Sequence, residues 1–385
     1  MGSRRSAFRQ RKGLVKFMAK TSAPAQPPVP DLGRLASTTV GIADWFVKNA
    51  RPLPWRENPS PYRVWVSEIM LQQTRIEAVM PYYDRFIAAL PDIPALAAAA
   101  EDRLLKLWEG LGYYRRVRHM QQAARVMVEK YGGHLPADYD SLRSLPGFGE
   151  YVAGAVASIA FNLPVPAVDG NVLRVLARLT DYGGDVMQSR VRRDFREKLR
   201  VILPPGRAGQ FNQGIMELGE TVCIPGGTPA CALCPAAGEC RAFHEGRAAQ
   251  LPFRSARNPR MVEERTILVI LSGGRVLLRR RPAAGLLGGM WELPGVEAVL
   301  DGPAVAAYLA ARGIPVQGIA PLPDSRHVFS HREWHMKGFR VRAGDFPAPA
   351  GCVWATAAEL GSSYALASAF RAYSGRLPAL LRGAE

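Results

Sequence analysis

Four of the chain's five cysteines fall between residues 223 and 240, as Cys223-x7-Cys231-x2-Cys234-x5-Cys240. A loop this short has little core of its own, so it needs a clip. Four thiolates on such a segment can enclose a tetrahedral zinc ion or a four-iron cluster. With no apolar secretory leader at the N-terminus, a disulfide framework is disfavoured, and the expected setting is a reducing one. Ligand type alone leaves zinc and iron–sulfur open. The fifth cysteine, Cys352, lies far from the loop and reads as a packing residue.

The character of the chain changes at this loop. With 385 residues it exceeds what one core usually organises, and two domains are expected. Residues 31–243 read as helices. Apolar spacing predicts one before Arg51-Pro52, one from about Tyr62 to a break at Pro81, a third after it, and others near 101–110, 114–131, 150–162, 170–180, 190–202 and 208–220. The basic, proline-containing "QLPFRSARNPR" makes 244–264 a linker. Beyond it, 265–385 reads as mixed α/β. "TILVIL" (266–271) and "RVLLRRR" (275–281) flank Ser272-Gly273-Gly274 as a hairpin, 332–343 alternates, and 303–312 and 356–382 look helical.

Residues 1–30 carry seven basic and no acidic residues and are expected to form a disordered basic arm; an organellar transit peptide is the alternative. The formal net charge of +17 calls for a polyanionic partner, either nucleic acid or an anionic membrane surface. The longest apolar run, Val152 to Leu163, falls short of the roughly 20 residues that span a bilayer. It reads as a buried helix, so a membrane role is not expected and a cytoplasmic, nucleoid-associated location is.

Three segments carry the chemistry. In "LPGFGEYVAGAV" (145–156), Gly147 and Gly149 sit between two helices and not after a strand, which argues against a dinucleotide fingerprint. Glycines there let backbone N–H groups approach a phosphate at a helix N-terminus. In "VPAVDGNVLRV", Asp169 stands at a helix start, where it serves as an N-cap, as a reactive carboxylate, or as both. In "RPLPWRENPSPYRVWVSEIMLQQTRIEAV" (51–79), the company of Val64, Trp65, Ile69 and Met70 would raise the pKa of Glu68 and keep it protonated near neutrality.

In this order the segments resemble the MutY family of adenine glycosylases, within the helix–hairpin–helix, endonuclease III superfamily, over roughly residues 35–380. The resemblance implies a multidomain fold. An all-α helix–hairpin–helix glycosylase region comes first, with a six-helix part at about 60–165 and a cluster-bearing part from 31–58 plus 166–243. An α/β Nudix-like lesion-recognition domain (265–385) follows. The family's cysteine spacing is one residue shorter in the first gap. The extra residue here is read as an insertion at Gly226-Gly227, and the four cysteines are expected to hold a [4Fe–4S] cluster.

The implied activity is base-excision removal of adenine opposite 8-oxoguanine, and opposite G, by hydrolysis of the N-glycosidic bond in duplex DNA, by a monomer. Glu68 would protonate the leaving base. Asp169 would stabilise or trap the oxocarbenium-like sugar, with Asn171 and Tyr151 beside it. Arg51, Trp55, Arg56 and Glu217 would shape the adenine pocket. Gln73 and Tyr113 would enter the base stack, Gly147 and Gly149 would grip phosphate, and Arg115, Arg116 and Arg118 would meet phosphate.

Tyr151 stands where the endonuclease III branch has a Schiff-base lysine, so strand cleavage is not expected. The alternative is a bifunctional endonuclease III-like glycosylase for oxidised pyrimidines; the missing lysine and the second domain count against it. In that domain "GLLGGMWELPGVE" (285–297) resembles the start of a Nudix box without its metal carboxylates. "HVFSHREWH" supplies Phe329, Ser330 and His331 as lesion-reading residues.

Overall fold

The computed structural model describes residues 26–256 and 259–383. The expected arm at 1–30 lies mostly outside the described residues. Its last five belong to the fold: Val29 is buried, the Pro27 carbonyl accepts from the Tyr182 hydroxyl, and Gln26 accepts from the Asp185 amide.

The first region holds α1 (Ala36–Asn49), α2 (Pro54–Glu57), α3 (Pro61–Leu71), α4 (Ile76–Ala89), α5 (Ile93–Ala98) and α6 (Glu101–Leu107). They are followed by α7 (Arg115–Tyr131), α8 (Tyr139–Ser144), α9 (Glu150–Phe161), α10 (Gly170–Thr180), α11 (Ser189–Val201), α12 (Ala208–Thr221) and the short α13 (Arg241–His244). Local chemistry sets the starts. Ser60 caps α3 ahead of Pro61, Asp138 caps α8, and Asp169 caps α10 through Val172 N. Helix α3 is buried almost all round, which is why its sequence shows no polar stripe.

The break expected at Pro81 falls instead at Gln72–Arg75, and Pro81 sits inside α4. The turn wins because α3 is closed by the polar run Gln72-Gln73-Thr74, while Pro81 removes just one bond of the following helix.

The hairpin at 145–149 joins α8 to α9. Gly147 has φ of +80°, and a Cβ there would lie 2.8 Å from the Cβ of His119, so glycine is required on two counts. Gly149 has ordinary backbone with open space around it, and it starts α9 without a side-chain cap. Its use is to leave the first α9 amides uncovered. Trp65 stacks on Phe148 at 5.4 Å and ties α3 to this hairpin.

One buried cluster runs from Val29 to Leu251 and packs α1, α10, α11 and α12 around the cysteine loop. Ala248 and Leu251, from the stretch expected to be linker, belong to it. Both are buried, and the Leu251 carbonyl accepts from Arg178 Nε at 3.0 Å.

The second region is a seven-stranded mixed sheet: β1 (Met261–Ser272), β2 (Arg275–Arg280), β3 (Trp291–Glu292), β4 (Gly295–Val296), β5 (Val316–Val328), β6 (Arg332–Ala343) and β7 (Cys352–Ala355). Strands β1 and β6 run parallel; β1–β2 and β5–β6 are antiparallel. Helix α14 (Gly302–Ala310) covers one face with Val305 and Leu309 against Leu268 and Ile270. Strand β5 was not expected, since Pro321 and Pro323 interrupt its pattern. It survives as an edge strand with a bulge near Leu322. The helix expected over 356–382 is broken into α15 (Ala357–Ser362), α16 (Arg371–Ser374) and α17 (Leu377–Leu381), with a bridge from Leu366 to Trp291 between them.

Polar contacts lock the two regions together. Lys106 Nζ donates to the Leu360 carbonyl, Glu109 accepts from the Leu366 amide at 2.7 Å, and Arg280 pairs with Asp102 at 3.0 Å. Arg118, expected on phosphate, instead pairs with Glu101 and donates to the Gly288 carbonyl at 2.6 Å. Arg115 is exposed; Arg116 is turned inward.

Candidate active site

A cavity of about 640 Å³ opens between α3, α9, α10 and α12. Arg51, Trp55, Arg56, Glu68, Gln73, Tyr151, Asp169, Asn171 and Glu217 all line it, drawn from segments up to 166 residues apart.

Close packing brings the two key carboxyl groups here. Gly154 on α9 faces the Pro166 carbonyl so tightly that a Cβ would lie 2.4 Å from it, which lets the chain leading to Asp169 run against α9. Fully buried Asn212 holds this chain on α12: it donates to the Val165 carbonyl and to Ser158 Oγ, both at 2.8 Å, and accepts from the Ala167 amide. Asp169 then caps α10 and accepts from Asn171 Nδ2 at 3.0 Å.

The carboxyl groups in this pocket differ because their surroundings differ. Burial raises Glu68 to about 7; Asp169 pushes in the same direction, while a hydrogen bond from Tyr151 and the charge of Arg56 pull down. The Tyr151 hydroxyl donates to Glu68 Oε2 at 2.6 Å and also meets Met216 Sδ at 3.3 Å. Burial, then Glu68 and Asp169, keep Tyr151 far above the usual tyrosine range, so it stays neutral and donates.

Asp169 is also raised by burial, against the backbone bonds of its cap and the charge of Arg174. Glu217, only 2% exposed, goes the other way. Burial pushes it up, but hydrogen bonds from Arg51 and Arg56 outweigh that and hold it below its ordinary value. Arg51 Nη2 and Arg56 Nη2 reach Glu217 Oε2 at 3.1 and 2.9 Å. The pocket therefore contains one carboxyl group balanced between its two forms and one fixed as an anion.

Residues not singled out from sequence complete the site. Glu220, one turn beyond Glu217 on α12, accepts from Asn171 at 3.1 Å. Its signal was the i, i+3 spacing to Glu217. Arg174 donates to Asn171 Oδ1, the Gly219 carbonyl and the Cys223 carbonyl at 2.7, 2.7 and 2.8 Å, joining the Asp169 cap to the cysteine loop. Arg178, one turn further, donates to Cys223 Sγ at 3.1 Å.

The four loop cysteines line one small pocket whose other walls are apolar apart from Arg178. Among the described residues no group of three His, Cys, Asp or Glu side chains is placed to hold a single metal ion.

A second cavity of about 710 Å³ lies between the two regions. Tyr113, Gly147, Phe329, Ser330 and His331 line it, and Gln73 lines both cavities. Gly149 lines neither. The turn from Val328 to His331 joins β5 to β6. Phe329 anchors it edge-on against Trp334 at 4.8 Å, leaving Ser330 exposed, and Ser330 Oγ lies 3.4 Å from the Tyr113 hydroxyl across the cleft.

Comparison with known proteins agrees with this architecture. Residues 66–201 match the HhH-GPD superfamily base excision DNA repair protein model, and residues 266–374 match the NUDIX domain model. The chain is 32% identical to the adenine DNA glycosylases of Mus musculus and Homo sapiens, over 92% of its length and 81% and 77% of theirs. A solved thermostable thymine-DNA glycosylase, 24% identical, superposes with a TM-score of 0.50 over 56% of this chain and all of its own, and so shares the fold of the helical region. The chain thus belongs to the adenine DNA glycosylase family and is a DNA glycosylase of base excision repair.

Proposed function

We propose that this glycosylase hydrolyses the N-glycosidic bond of adenine placed opposite 8-oxoguanine, and opposite guanine, in duplex DNA, and leaves the strand uncut. The observation that carries the reading is the pair of carboxyl groups lining one cavity, buried Glu68 and half-buried Asp169, with the Tyr151 hydroxyl donating to Glu68. Glu68, poised at about 7, delivers a proton to the leaving base. Asp169, held by the Val172 amide and Asn171, faces the cationic sugar as the bond breaks. Arg51 and Arg56 fix Glu217 as an anion in the wall of the pocket, and with Arg51 Nε on Oε1 and the two Nη2 groups on Oε2 both of its oxygens are occupied. With tyrosine in place of an amine at position 151, no Schiff base forms and no strand-cleaving step follows.

The base opposite falls to the second cavity. Ser330 Oγ and the Tyr113 hydroxyl face each other there, and Gln73 stands between the two cavities. The uncovered amides at the start of α9 suit a phosphate. Duplex DNA is flipped open on this surface as for other enzymes that act on a base.

Cys223, Cys231, Cys234 and Cys240 would hold a [4Fe–4S] cluster. They fit one: all four cysteines line a single, mainly apolar pocket, and Arg178 offers a cation to the Cys223 sulfur. When bound, the cluster supplies a covalent clip for the loop that Arg174 and Arg178 tie to α10.

The assay uses end-labelled duplexes carrying adenine opposite 8-oxoguanine, adenine opposite guanine, or thymine glycol, with and without alkali. Strand breaks at adenine that need the alkali step are expected; activity confined to thymine glycol, or breaks without alkali, overturns the reading. Purified protein is expected to contain iron and acid-labile sulfide, about four of each per chain. Zinc in their place overturns the cofactor assignment.

A further inference from the structure

Arg116 has the composition of a phosphate ligand and the placement of a staple. Its Nη1 donates to the carbonyls of Ile69, Met70 and Gln72 at 2.8, 3.0 and 2.6 Å, capping the negative end of α3. Its Nη2 donates to the carbonyls of Leu111 and Gly112 at 3.3 and 3.2 Å, and to Thr74 Oγ1 at 3.4 Å. The guanidinium lies over the rings of Trp108 and Tyr113 at 5.3 and 5.4 Å. One side chain thus grips two turns that are about 40 residues apart in sequence.

The next residue of each turn is unusual. Gln73 follows Gln72 with φ of 59°, and Tyr113 follows Gly112 with φ of 49°. Left-handed backbone is commonest among short polar residues such as Asn162 and Asp181, but it strains glutamine and tyrosine. Both strained residues are exposed at the mouth of the interdomain cavity. Strain of this kind persists where the surroundings over-determine it, and Arg116 is the group common to both turns.

We propose that Arg116 is a positioning residue that holds Gln73 and Tyr113 as one preformed wedge for opening the base stack. The inference rests on the reading that these two side chains enter the stack. Lysine cannot replace it. An ammonium offers three donors from a point, whereas the planar fork reaches acceptors on both turns at once.

The test compares the full-length protein with Arg116→Lys on a duplex with adenine opposite 8-oxoguanine and 2-aminopurine beside the adenine. The fluorescence of 2-aminopurine rises when its neighbour leaves the stack. In Arg116→Lys the brightening is expected to be largely lost and single-turnover excision to fall roughly 100-fold, the scale of a misplacement of about 1 Å. Binding to undamaged duplex and the pH midpoint of the residual excision should stay at the parent's values, because Glu68 and the hairpin are untouched.

Brightening equal to the parent's overturns the proposal. So does a loss that tracks a matching loss of duplex binding or of folded protein, which marks a merely structural role. Gln73→Ala serves as a second variant: it removes half the wedge without touching Arg116, and it should lose brightening too. If the parent protein gives no brightening, the wedge reading fails before Arg116 is in question.

Discussion

Asp169→Asn is expected to cut adenine excision by roughly a hundredfold to a thousandfold while leaving the protein folded, the usual cost of removing one preorganised electrostatic group from an active site. Asparagine caps a helix about as well as aspartate, so its carbonyl oxygen can keep the bond to the Val172 amide. Its NH2 group then faces the Asn171 Nδ2 donor, at a cost of about 1 kcal/mol. The substitution therefore removes the charge and spares the cap. Single-turnover rates beside a thermal melt check it. A variant that melts like the parent and excises within tenfold of it (roughly 1.4 kcal/mol of barrier) would assign Asp169 to capping alone.

The second large effect is at Glu68. Glu68→Gln should lower excision by roughly a hundredfold to ten-thousandfold, the usual share of a general acid. In the parent, the acid must be protonated, so activity falls as pH rises through about 7, where Glu68 ionises. On the acid side it falls as Asp169, itself raised by burial, takes up a proton. The profile is a bell whose alkaline limb disappears in Glu68→Gln.

The substitution should move stability the opposite way. Burial raises the folded pKa of Glu68 above the ordinary 4.5, so its contribution is fully present below that value. It is lost as pH rises through about 7. Glutamine has no charge to bury. The stability of Glu68→Gln relative to the parent should therefore grow by about 2 kcal/mol between roughly pH 5 and pH 8. Denaturant melts at both pH values measure this; a gap that does not change with pH would mean that Glu68 is not held in its neutral form.

Much of the helical region was legible because its information is local. The span of α10, Gly170–Thr180, follows from an Asp cap and apolar spacing, and the hairpin follows from a glycine pair between two helices. What local pattern cannot carry was missed. Strand β5 is held by its register with β6, not by alternation, and its two prolines are tolerated because it lies at the sheet edge. Chain close to the linker was assigned to it because polarity hid Ala248 and Leu251, which pack beside α10.

The candidate site shows the same division. The segments bearing Glu68, Asp169 and Tyr151 could be picked out by their resemblance to the family's motifs. The inward turn of Arg116 could not, because its acceptors are backbone carbonyls, which every residue has alike.

The contacts of Lys106, Glu109, Arg118 and Arg280 across the two regions have a consequence for selectivity. They set the separation of the two cavities before any duplex arrives, with Gln73 as the shared mark between them. On the proposed reading of the two cavities, the enzyme would work as a gauge of fixed span laid across one base pair. Ordering entropy is spent when the chain folds and not when DNA is met, so a pair whose two bases do not reach both ends of the gauge gains little by binding. Mutations that slacken this contact should blur the choice of base pair before they slow the chemistry.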